Sequence, residues 1–152
     1  MLQWHAGVNG VSNFSLQEWT KVHNLIPQGI KFLEHTFTEP TSFRLRVSPV
    51  SPGVYAILAG NRRGEALEYE VIYFGECDDF SRQVARTHEL YRDWLEEAGG
   101  LESLYVAYYA TPFISEGQRR TMKNSLVEQY HPVCNEKAAR HFSLGALLGI
   151  GR

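Results

Sequence analysis

Two phenols sit close to glycines in Gly53-Val54-Tyr55 and Tyr73-Phe74-Gly75, each within a β-rich run. A phenol ionises near pH 10, so it acts on water at neutral pH only with cations close by. The cations that could meet a phosphate are Arg62, Arg63, Arg82, Arg86, Arg119, Arg120 and Lys123, with aromatic strands beneath them. His88 adds an imidazole that titrates near neutrality, and Glu76 adds a carboxylate directly after the second glycine. Each residue taken alone has a plainer explanation. Tyrosines pack across strands, arginines cover solvated surface, and histidines sit on amphipathic helices.

The elements that must position these groups follow from periodicity and turn chemistry. Val54 to Leu58 and Tyr69 to Phe74 read as strands, joined through Gly60-Asn61-Arg62-Arg63-Gly64 by a loop longer than a minimal turn. Asp78 or Asp79 can cap a helix whose apolar positions Phe80, Val84, Tyr91, Trp94 and Leu95 run to Gly99-Gly100. Leu104 to Ala110 is a third strand. Ser115 to Tyr130 is a further helix, with Met122, Leu126 and Val127 on one face and Pro132 closing it. The order strand, strand, helix, strand, helix predicts an α+β fold: a three-stranded antiparallel sheet flanked by helices.

Ahead of this core, Ser15-Leu16-Gln17-Glu18 fits a capping box for a helix through Trp19, Val22 and Leu25, stopped by Pro27 and Gly29. Phe43 to Val47 alternates like a strand, and Pro49 and Pro52 follow. The expected division is an N-terminal extension over 1–50 packing on the core, a domain over 51–137 and an apolar tail over 138–152.

The chain has 152 residues, 43% apolar, 12% aromatic and 21% charged, which suits one ordinary globular domain. Its net charge of -2 supplies no global field for nucleic acid, so any such site must be a local patch. No apolar run is long enough to span a bilayer, and no membrane is expected. Cys77 and Cys134, with an opening Met1-Leu2-Gln3-Trp4-His5 unlike a signal peptide, point to free thiols in a reducing, cytoplasmic compartment.

Between Gly53 and Asn135 the chain resembles the GIY-YIG nuclease superfamily. The resemblance rests on Gly53-Val54-Tyr55, on Tyr73-Phe74-Gly75, and on Leu126-Val127, Pro132 and Asn135 at the family's spacing. It implies phosphodiester chemistry, with Tyr55 acting on the attacking water, Tyr73 orienting it, and Asn135 supporting the site. Phe80 and Val84 set the register that puts Gln83 where the family keeps its arginine. Arg86, one turn on along a continuous helix, is the only substitute in reach, and His88 fits the family's following histidine or tyrosine loosely. The metal-binding glutamate position reads Lys123.

Gln83 lacks the permanent, bidentate charge that a scissile phosphate wants, and an ammonium cannot ligate a cation that needs oxygen donors. Glu76 is the remote alternative ligand. The expectation is therefore a catalytically degenerate GIY-YIG-like protein that binds nucleic acid, DNA first, with no cofactor. Two other readings stand beside it: an active endonuclease with relocated ligands that uses Mg2+ or Mn2+, and a protein-interaction or inhibitory module.

Overall fold

The computed structural model describes residues 29–149, so the helix expected around Trp19 lies outside the described residues. A two-residue ribbon, β1 (Lys31–Phe32) with β2 (His35–Thr36), and a short strand β3 (Thr41–Ser42) precede the main hairpin, β4 (Gly53–Arg63) and β5 (Ala66–Cys77). Helices α1 (Phe80–Gln83) and α2 (Tyr91–Ala98) lead through one 3-10 turn to β6 (Leu104–Ala110). Helices α3 (Glu116–Tyr130) and α4 (Val133–Leu147) follow. The architecture is α+β with antiparallel strands.

The main sheet has the order β3-β6-β4-β5, four strands rather than the expected three. The fourth arises because Thr41 and Ser42 pair with Val106 and Tyr105 on the outer side of β6. The strand expected over Phe43 to Val47 ends before it begins: Phe43 is buried, and the chain then turns, leaving Leu45 and Val47 exposed. The hairpin loop is minimal, not extended. Arg63 pairs with Ala66, and Gly64 takes the left-handed φ of 64° that a tight two-residue turn requires at its first position.

Central strand β4 is buried from Gly53 to Gly60 and separates two apolar layers. Tyr55, Ile57 and Ala59 join Trp94, Leu104, Val106 and Cys134 on one face. Val54, Ala56 and Leu58 join Phe32, Phe37, Phe74 and Leu126 on the other. Period-two alternation makes this division, since successive side chains leave a strand on opposite sides. One bulge interrupts it: Ile57 pairs with Tyr73 but Leu58 with Val71, so Ile72 is an extra residue and packs with Tyr73 on the same face.

The single helix expected from Asp79 to Gly99 is two helices with a connection over 84–90. Side chains take the backbone groups that a continuous helix would use. The Arg46 guanidinium donates to the Val84 carbonyl at 2.9 Å, and the Leu90 N–H donates to His88 Nδ1 at 3.0 Å. Gln83 and Arg86 therefore do not share one helical face. The later helix matches its expected span, with Ser115 at its N-cap in a reciprocal capping box with Gln118. Its C-cap His131 adopts a left-handed φ of 47°, and Pro132 then begins α4, which runs across the boundary expected at 137.

Strand β5 forms the open edge of the sheet, and Asn135 covers part of it. Its side-chain carbonyl accepts the Phe74 N–H at 2.8 Å, and its amide donates to the Phe74 carbonyl at 2.9 Å. One side chain thus stands in for a neighbouring strand. Asn135→Ala removes both partners from a part-buried peptide group, at a cost of about 1–3 kcal/mol. The expected result is a fall of several degrees in the thermal midpoint with the fold retained; an unchanged midpoint would contradict the clamp.

Candidate functional site

Tyr55 and Tyr73 do meet. Tyr55 lies opposite Gly75 in the register, and the outer end of its ring rests on that glycine: a Cβ at Gly75 would fall 2.2 Å from Cζ and 2.3 Å from the hydroxyl. Gly53 is small for a similar reason, since a Cβ there would fall 2.4 Å from the Phe80 ring. The glycines of both tripeptides are therefore spaces for aromatic rings. Tyr73, brought onto this face by the bulge, places its ring centroid 6.0 Å from that of Tyr55, 5.9 Å from His88 and 5.3 Å from Trp94. His88 packs on Trp94 at 4.3 Å.

The hydrogen-bond network assigns the protons. Because Leu90 N–H donates to Nδ1 of His88, the neutral imidazole carries its proton on Nε2, which lies 3.2 Å from the Tyr55 hydroxyl and donates to it. The Tyr73 hydroxyl and the Gln83 amide also act on the Tyr55 phenol. Burial pushes Tyr55 well above the usual tyrosine range, reinforced by Tyr73 and Cys77 and opposed by the Gln83 hydrogen bond. Burial raises Tyr73 to about 12, with the Tyr55 hydrogen bond opposing. Burial also lowers His88, against the pull of Glu89. No cation stands among the named partners of this phenol, and burial outweighs the Gln83 hydrogen bond, so the un-ionised form is favoured.

A shallow polar cavity of about 350 Å3 lies beside the cluster, lined by Arg82, Gln83, Thr87, His88 and Glu89. Arg82 is exposed and pairs with Asp79 at 3.6 Å, a surface contact of small energetic weight. Arg86 is exposed on the connection over 84–90 and makes no ion pair with the described residues.

The other predicted cations are placed differently. Arg119, expected as a phosphate contact, is 4% exposed and serves the interior: it donates to the Ile114 carbonyl, to Glu76 and to Asp78. That corrects its assignment. Arg120 pairs with Glu116 and lies 4.0 Å from Glu76. Arg62 and Arg63 stand at the hairpin tip, Arg63 paired with Glu68. Seven residues beyond Tyr55, Arg62 is about 23 Å away along the strand at about 3.3 Å per residue.

Lys123 is half-buried on α3; burial lowers its pKa, with Glu76 opposing and Arg120 reinforcing. A hard divalent cation does not fit these donors. Lys123 offers an ammonium, Glu76 is engaged by Arg119 and Arg120, and no group of three His, Cys, Asp or Glu able to hold a metal occurs among the described residues. Asn135, the terminal motif residue, spends its side chain on the β5 backbone.

Sequence reasoning missed Arg46, which holds the 84–90 connection from a distant loop while its guanidinium lies 3.9 Å over the Phe43 ring. Nothing local marks that residue in the chain. No family model, curated protein or solved structure matches the sequence or its fold.

The network makes the site acid-sensitive. Protonating His88 would turn its Nδ1 from acceptor to donor against the Leu90 N–H. A histidine held below its ordinary value of 6.5 contributes stability that is complete above that pH and is lost as pH falls toward the lower folded value. The thermal midpoint should drop between pH 7 and pH 5 more steeply in the natural protein than in His88→Asn, which keeps an acceptor for Leu90 and does not titrate. Parallel midpoint profiles for the two proteins would contradict this assignment.

Proposed function

We propose that the chain is a GIY-YIG-like scaffold that binds nucleic acid without cutting it. The order of β4, β5, the split helix, β6 and α3 supports the relationship, as does the meeting of Tyr55 with Tyr73 above Gly75. The observation that carries the loss of turnover is the Tyr55 hydroxyl itself. It is buried, with His88 Nε2 at 3.2 Å and neither a cation nor a carboxylate hydrogen-bonded to it among the described residues.

A nuclease must activate water and stabilise charge on the phosphate and leaving oxygen. A phenol held neutral does not take a proton at pH 7, and Gln83 adds a dipole where a guanidinium would add a charge. Loss of one such group typically costs about a hundredfold or more in rate, and two are replaced here. Binding requires less. Arg82 lines the polar cavity, Arg86 is exposed on the connection over 84–90, and Lys123 reverses the charge of the former metal position, so phosphate is attracted to a surface that cannot turn it over.

Labelled single-stranded and duplex DNA, titrated with the protein at two salt concentrations with and without Mn2+, tests this. Expected are salt-sensitive binding, no cleaved product, and severalfold weaker binding for Arg86→Ala, with the salt slope on duplex DNA reduced by about one. Metal-stimulated nicking that disappears in Tyr55→Phe would contradict the loss of turnover. Binding indifferent to salt would contradict the phosphate surface.

A further inference from the structure

Next to the tyrosine cluster, residues at the start of α2 and along α4 line a cavity of about 630 Å3. Its floor is apolar, made by Leu90, Ala138, Phe142 and Ala146. Gly145 leaves its middle open, since a Cβ there would meet nothing within 4 Å. Phe142 is 73% exposed, and Leu144, Leu147 and Leu148 continue the exposed apolar surface along the same helix. Among the described residues nothing covers these apolar side chains on the free faces of the helix.

The α2 wall has a definite sign. Glu89 and Asp93 line the cavity, and Glu96 follows one turn beyond Asp93. None of the three pairs with a described cation, whereas the neighbouring Glu97 is neutralised by Lys137. The span from Ala138 to Ala146 is about 12 Å at 1.5 Å per residue, room for two turns of a docked helix. A second copy's α4 is a poor match, because its own cations Lys137 and Arg140 are already held by Glu97 and Glu136.

We propose that this groove docks an amphipathic helix of a partner protein, with an apolar stripe against Phe142 and lysines or arginines along the acidic α2 wall. The mode is a helix in a groove, with anchors at helical spacing and charge setting partner and orientation. It adjoins the polar cavity beside the tyrosine cluster, with Glu89 on the rim of both, and does not depend on nucleic-acid binding.

The probe is a labelled helical peptide of leucine and lysine with its leucines on one stripe, compared with the same design carrying glutamate for lysine. Anisotropy is read with the full chain at pH 8. Expected is one-to-one binding of the lysine peptide, weakened about tenfold or more by Phe142→Glu and by Asp93→Lys, with the glutamate peptide at least about tenfold weaker. Absence of binding, equal affinity for both peptides, or indifference to both substitutions would overturn the proposal. A dimer in sedimentation that Phe142→Glu dissolves would assign the groove to a second copy and overturn it as well. Because Phe142 is exposed, the variant should fold; if it does not, Asp93→Lys alone decides.

Discussion

The placement of the Tyr55 ring on the bare backbone of Gly75 is the contact on which the rest of the site depends. It is a steric condition before it is a chemical one. The ring can reach the far side of β5 only because that strand has no side chain there. The same crossing delivers its hydroxyl to His88 and Gln83, beyond the edge of the hairpin. The bulge at Ile72 then turns Tyr73 to the same face, and Phe80 closes the other side over Gly53. Four local devices converge on one buried phenol.

That convergence has an electrostatic price. Once Tyr55 is buried among neutral partners, its ionised form is penalised, and only a nearby cation could offset this. The cations are elsewhere. Arg119 is committed to the interior, where it joins α3 to the end of β5 through Glu76 and Asp78. Breaking such a buried pair is costly because it strands a charge, so Arg119 is held in place by the fold rather than offered to a ligand. Arg82, on the wall of the polar cavity, and Arg86, on the connection over 84–90, remain on the surface, away from the buried phenol.

Much of the framework was legible in the chain. The hairpin, the third strand, the helix beginning at Ser115 and the apolar stripe through Leu126 follow from period and turn chemistry, which act within a few residues. The exceptions share a cause in contacts between distant segments. Arg46 breaks the helix after Gln83 from 38 residues away, and Thr41 finds its partner on β6. In the site, the meeting of the two tyrosines could be read from their glycines, but the fates of Arg119 and Asn135 could not. Burial of an arginine in the first half of a polar helix has no sequence signature, and an asparagine that mimics a strand looks like any residue after a proline.

Calorimetric titration of the natural protein and Lys123→Glu with Mn2+ tests the central claim most directly, because it needs no assumption about the nucleic acid. The account predicts no binding by the natural protein and the appearance of binding in the variant, where a carboxylate replaces the ammonium beside Glu76. Stoichiometric Mn2+ binding by the natural protein, lost in Glu76→Gln, would contradict it.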